Sequence, residues 1–178
     1  CRSERDVLQR LASRPGEHEK AFAAIHPRLK KLYLSAVQSS LFDQVVAVRI
    51  GHLDELMAGD LAIKHVNGAC FLVEDAITEM ERATSFEISA SGPMFGCKMK
   101  EPEGRPLEIE REILVTESIR LDDFDLPGGL RMEGERRPLR IPLEATSFRL
   151  EGNCLQLEFA LPKGSYATSV LREIMKTY

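Results

Sequence analysis

Leu161-Pro162-Lys163-Gly164-Ser165-Tyr166-Ala167-Thr168-Ser169-Val170-Leu171-Arg172-Glu173 is the stretch on which the fold reading turns. Alternating strand residues halt there at a proline and a glycine, and a helix starts at once. The turn carries one lysine, two hydroxyls and an aromatic. It reads in two ways. One is an ordinary strand-to-helix turn with Ser165 or Thr168 as the N-cap. The other is an anion site, because a helix N-terminus offers unpaired N–H groups and partial positive charge beside Lys163 and Ser165, with Tyr166 as a stacking face.

Moving back from that turn, residues 154–161, 146–151, 139–142 and 130–133 alternate as strands with polar turns between them. Asp122 to Gly129 is a loop rich in Asp and Gly. Pro106 to Glu117 reads as an acidic helix that buries Leu107, Ile109, Ile113 and Leu114 and solvates Glu108, Glu110 and Glu112. Phe86 to Ser89 is a short strand leading into Gly92-Pro93-Met94-Phe95-Gly96. Residues 60–66 and 69–74 alternate around Asn67-Gly68, a two-residue hairpin signal.

Helical spacing dominates the first fifty residues. A short amphipathic segment from Glu4 to Ser13 stops at Pro15-Gly16, and a second helix from Glu17 to Ile25 stops at His26-Pro27. A long one follows from Arg28 to Ile50, with Leu29, Leu32, Tyr33, Ala36, Val37, Leu41, Val45 and Val48 at helical spacing, ended by Gly51. Helices thus segregate from antiparallel strands, and the class is α+β: N-terminal helices, a small mixed α/β region, then C-terminal antiparallel strands with a final helix from about Tyr166 to Lys176.

The chain has 178 residues, enough for one domain or two small ones, with 43% hydrophobic and 29% charged residues. Its first residue is Cys1 and not Met, the expected mark of a piece trimmed or cut from something longer. Apolar runs are far shorter than a membrane span. The four cysteines (1, 70, 97, 154) and four histidines (18, 26, 52, 65) form no metal-ligand spacing, and reduced thiols in a cytoplasmic protein are expected. Net charge is −4, but residues 1–50 carry +4 and 131–178 carry +2 around an acidic middle. Basic ends could face a polyanion together, or be clusters on solvated faces. No nucleophile elbow, cysteine-protease signature or phosphate loop is present. In Gly134-Glu135-Arg136-Arg137-Pro138-Leu139-Arg140, the arginines suit phosphate contacts or guard a salt-bridged edge strand.

Three blocks together resemble the TruD family of tRNA pseudouridine synthases: Leu34-Ser35-Ala36-Val37-Gln38-Ser39-Ser40-Leu41-Phe42-Asp43 (the family usually has Asn at the last place), Gly92-Pro93-Met94-Phe95-Gly96, and Leu157 through Thr168. The resemblance covers nearly the whole chain. It implies that residues 1–131 are a TruD-type insertion domain with connecting helices. Residues 132–178 would then be the segment returning to a pseudouridine-synthase catalytic sheet. The family's catalytic aspartate lies in a Gly-Leu-Lys-Asp-type segment, and a Tyr-Phe-Gly-x-Gln-Arg-Phe-Gly-type motif follows it. Neither occurs here, so no residue of this chain is assigned a catalytic role. The resemblance further implies isomerisation of a tRNA uridine to pseudouridine without cofactor or metal, by a cytoplasmic enzyme that is monomeric when full length. RNA contacts are expected from Tyr166, Phe159, Lys163, Ser165, Arg136 and Arg137. Two other readings stand beside it: a stand-alone RNA-binding module without catalysis, and a structural insertion that shapes an RNA cleft.

Overall fold

The computed structural model describes residues 2–176, and Cys1 lies outside them. Six helices and six strands follow in the order α1 (Arg2–Ser13), α2 (His18–Ala23), α3 (Pro27–Arg49), β1 (Leu61–Lys64), β2 (Cys70–Leu72), α4 (Ala76–Thr84), β3 (Ile88–Met94), α5 (Gly104–Thr116), β4 (Glu135–Pro138), β5 (Glu144–Glu151), β6 (Cys154–Ala160) and α6 (Ala167–Met175). The α+β class follows directly. Two compact units make up the chain: residues 1–51 with 92–137, and residues 52–91 with 138–178. Each is built from two stretches, so compactness alone does not divide the chain at residue 131.

In the first unit, α3 starts where Pro27 can occupy a position that needs no N–H, and the His26 ring accepts from the Arg28 amide at 3.3 Å. Only one of its apolar rows is covered. Gln38, Leu41, Val45 and Arg49 are buried, spaced to share a face, whereas Leu32, Tyr33, Val37 and Val48 stand exposed. Helix α5 buries Pro106, Ile109, Ile113 and Leu114. It also buries Glu110, which corrects the expectation of a solvated face. Glu110 lies three and four residues before Ile113 and Leu114, so helical geometry carries it into the core with them.

The Gln38 amide donates to the Phe95 carbonyl, and Phe95 is itself buried. Two of the three resemblance blocks therefore meet inside this unit. Gly96 is where two backbones cross. A Cβ there would stand 2.2 Å from the Gly134 nitrogen. Next to that crossing, the Cys97 and Lys98 amides donate to Met132 and Glu133 at 3.0 and 2.9 Å.

In the second unit, β1 pairs antiparallel with β2 and β3, in registers Ala62↔Phe71 and Ala62↔Ala90. Within this unit the strands lie in the order β2-β1-β3. The link from β1 to β2 is longer than the two-residue hairpin expected at Asn67-Gly68. Lys64 and Ala69 are the closing pair, while the His65 amide turns away to the Glu87 carbonyl at 3.0 Å. Helix α4 had no counterpart in the sequence reading; Asp75 caps it, accepting from Ile77 at 2.9 Å.

Strands β5 and β6 form a separate two-stranded sheet, with Phe148 opposite Leu157 and Leu150 opposite Leu155. One face of this hairpin is apolar, yet Phe148 is 78% and Leu150 70% exposed. Glu144, Arg149, Glu151, Gln156 and Glu158 fall on the other face. The strands expected over residues 130–133 and 139–142 are not formed as such; β4 falls between them, at Glu135–Pro138.

Candidate nucleic-acid interface

Strand β6 delivers Phe159, half-buried, on the apolar face of the hairpin. The chain then leaves the sheet through Pro162 and a turn closed by the Ser165 amide on the Pro162 carbonyl at 3.2 Å. Gly164 sits in that turn with φ +93°, a conformation that a residue with a Cβ adopts only under strain. Tyr166 is the N-cap of α6, with extended backbone and no side-chain cap bond. Neither Ser165 nor Thr168 fills the capping role. The first amides of α6 thus lack a hydroxyl acceptor from its own N-cap, and they keep their partial positive charge toward solvent.

Tyr166 is 73% exposed, and Lys163 beside it is exposed with no carboxylate partner among the described residues. Ser165 is half-buried. Aromatic, cation and open helix terminus therefore lie within four consecutive residues. That combination can bind a phosphate and stack a base.

The two arginines picked from sequence behave differently from each other. Arg136 sends its terminal nitrogens to both oxygens of Glu110, at 2.8 and 3.0 Å, with side chains only 4% and 7% exposed. Its guanidinium is not presented to solvent, so the expected phosphate contact gives way to a buried ion pair. Arg137 is exposed and held by Glu135 at 2.7 Å. Pairing of that kind is weak in water and open to exchange for a phosphate.

A shallow cavity of about 230 Å³ lies elsewhere, lined by Phe71, Leu72, Glu74, Asp75, Thr78 and Glu79. Three carboxylates in its wall would repel a polyanion. Among the described residues, no group of three or more His, Cys, Asp or Glu could hold a metal ion, and no helix is long and apolar enough to cross a membrane. Cys97 and Cys154 form no disulfide among the described residues.

Comparison with known proteins sets this geometry in context. The profile of the family tRNA pseudouridine synthase D (TruD) matches residues 1–174. The chain is 62% identical over 177 residues to the tRNA pseudouridine synthase D of Geotalea daltonii, covering 99% of this chain and 45% of that protein. Its counterpart in Thermus thermophilus is 44% identical over 152 residues, covering 84% of this chain and 41% of the relative. A TruD crystal structure from Methanosarcina mazei shares the fold with a TM-score of 0.78 at 23% identity, over 98% of this chain and 44% of that one. The chain spans less than half the length of these relatives.

Proposed function

The chain belongs to the TruD family of tRNA pseudouridine synthases, and from that premise we propose that it is the C-terminal portion of such an enzyme, carrying part of the RNA-facing surface and none of the catalytic side chains. The observation that carries this reading is the start of α6, where exposed Tyr166, unpartnered Lys163 and uncapped amides converge. Extracting a uridine from its stack costs a few kcal/mol. An aromatic face worth about 1–3 kcal/mol per base, next to a phosphate site, offsets that cost.

The hairpin fits the same reading. A two-stranded sheet is marginal by itself, and an open apolar face of this kind marks a surface that something covers. The occupant we assign is the polypeptide that the relatives carry and this chain does not, over half of their length. Residues 132–178 then return to the catalytic sheet that this polypeptide begins, and residues 1–131 form the insertion domain with its connecting helices. The intact protein is taken to be a cytoplasmic monomer acting on tRNA, with Arg137 and the α6 turn each assigned an RNA contact.

These 178 residues alone should not make pseudouridine. Tritium release from tRNA labelled at uridine C5 is expected to read background for them. Turnover should appear once they are joined to the N-terminal portion of the Geotalea relative. Release by the isolated chain, surviving purification controls, would overturn the assignment.

Within the joined enzyme, Tyr166→Phe should be mild because the ring face survives. Tyr166→Leu should lower kcat/KM by roughly 5- to 150-fold, the factor equivalent to one stacked base. Its melting temperature should hardly move. Parallel losses of stability and activity would make Tyr166 a packing residue.

A further inference from the structure

Arg140 stands apart from its neighbours in the sequence. Every other arginine from Arg82 to Arg149 has a carboxylate oxygen within 4.0 Å. Arg140, half-buried just beyond β4, has none among the described residues. Its carbon Cζ sits 4.2 Å above the centre of the Phe86 ring, one terminal nitrogen donates to the Ala83 carbonyl at the end of α4, and Nε is buried with no hydrogen-bond partner. Taking a cation partly out of water is costly, and such groups are normally met by an anion. Here a ring and a carbonyl hold the guanidinium in place and leave its charge unneutralised.

The surroundings are built to hold that position. Phe86 adopts φ +58°, where bulky side chains are rarely found. Its ring also meets that of His65, whose centroid is 6.2 Å away. His65 shares a 2.8 Å hydrogen bond with Ser89, and burial together with the charge of Arg140 holds its imidazole below the usual pKa. The nearby acids are spent on another group: Glu79 and Glu87 both bind Arg82, at 2.6 Å each.

We propose that Arg140, seated on Phe86, is a phosphate-contact residue for the RNA backbone in the second unit, separate in sequence from the α6 turn. The inference rests on the tRNA reading above. Phosphate oxygens suit a planar fork of N–H donors whose orientation is already fixed by a ring and a carbonyl. The competing occupant is a carboxylate from polypeptide outside this chain, and the two make different demands on salt.

Binding of a tRNA transcript by the intact protein should be measured between about 50 and 200 mM salt. Arg140→Gln is expected to weaken it by roughly 3- to 10-fold and to flatten the slope of log K against log salt by about 0.7–0.9, the value of one phosphate contact. Arg140→Lys should keep the slope. Arg149→Gln, at an exposed arginine that already has its carboxylate, should leave it little changed. A second reading needs no variant. When a phosphate neutralises Arg140, the His65 pKa followed by NMR should rise on adding the same transcript.

An unchanged slope in Arg140→Gln, with a fall in melting temperature, would assign Arg140 to a protein carboxylate. A His65 titration that tRNA does not move would likewise overturn the proposal. Failure of the unsubstituted protein to bind tRNA in a salt-dependent way would sink the functional reading first, and this inference with it.

Discussion

Gly96→Ala is expected to be the most damaging single-methyl change in the first unit. The new Cβ would stand 2.2 Å from the Gly134 nitrogen and 2.4 Å from the Glu133 carbonyl carbon. Both obstacles are main chain, which has no rotamer to escape into. The two segments are also tied by the Cys97 to Met132 and Lys98 to Glu133 hydrogen bonds, so separating them strains bonds on both sides of the crossing. A loss of about 3 kcal/mol or more is expected, at or beyond the upper end of the range for an overpacked methyl. For a chain of this size that corresponds to a drop of about 6–12 °C in melting temperature. Gly68→Ala provides the contrast. Gly68 has φ +72° and open space around it, so only the backbone conformation is penalised, by about 1–2 kcal/mol. A Gly96→Ala protein melting within about 2 °C of the original would show that the two backbones can part cheaply. The Gly-Pro-Met-Phe-Gly block would then need another explanation.

Arg136→Met should cost about 3–5 kcal/mol, because it removes a bidentate partner from a carboxylate that is almost wholly buried. Glu110→Leu alone should cost a similar amount for the mirror-image reason. The double variant Arg136→Met/Glu110→Leu should recover most of either loss, since two apolar side chains can replace a buried pair without leaving a charge behind. Chemical denaturation of the four proteins gives the coupling directly. The same variants test the role that the sequence suggested for Arg136. The salt dependence of tRNA binding should be the same in Arg136→Met as in the unsubstituted protein, once differences in folded fraction are taken into account. Weakened binding and a flatter slope, with stability intact, would restore Arg136 to the RNA surface.

Several parts of this protein were readable from local signals. Pro15-Gly16 and Pro27 punctuate the first helices, and alternation over 146–151 and 154–161 gives the β5–β6 hairpin within two residues at each end. Those signals work because a proline without an N–H, a glycine able to take positive φ and a period of two or 3.6 act through neighbouring residues only. The order of three short blocks carried the family as well, and with it the α6 turn as the place where an aromatic and a lysine meet a helix end. Helix α4 escaped because its apolar content is small and Ile77 faces solvent, so the pattern was too faint to separate from loop.

Charge was where the sequence fell short. Glu110 and Glu112 are the same residue type two positions apart, yet one is buried against Arg136 and the other lies in water with Arg105. Arg136, Arg137 and Arg140 sit within five residues and have three fates: a buried pair, a surface pair, and a cation stacked on a ring with no acid to meet it among the described residues. What decides each is the arrival of a distant segment, Glu110 for Arg136 and Phe86 for Arg140, and no local rule encodes such meetings. A charged group's free energy depends on how much water it loses and what opposite charge it gains. Both are properties of the packed chain, so composition could place the positive charge in the sequence while only the tertiary structure could say which of it remains for a ligand.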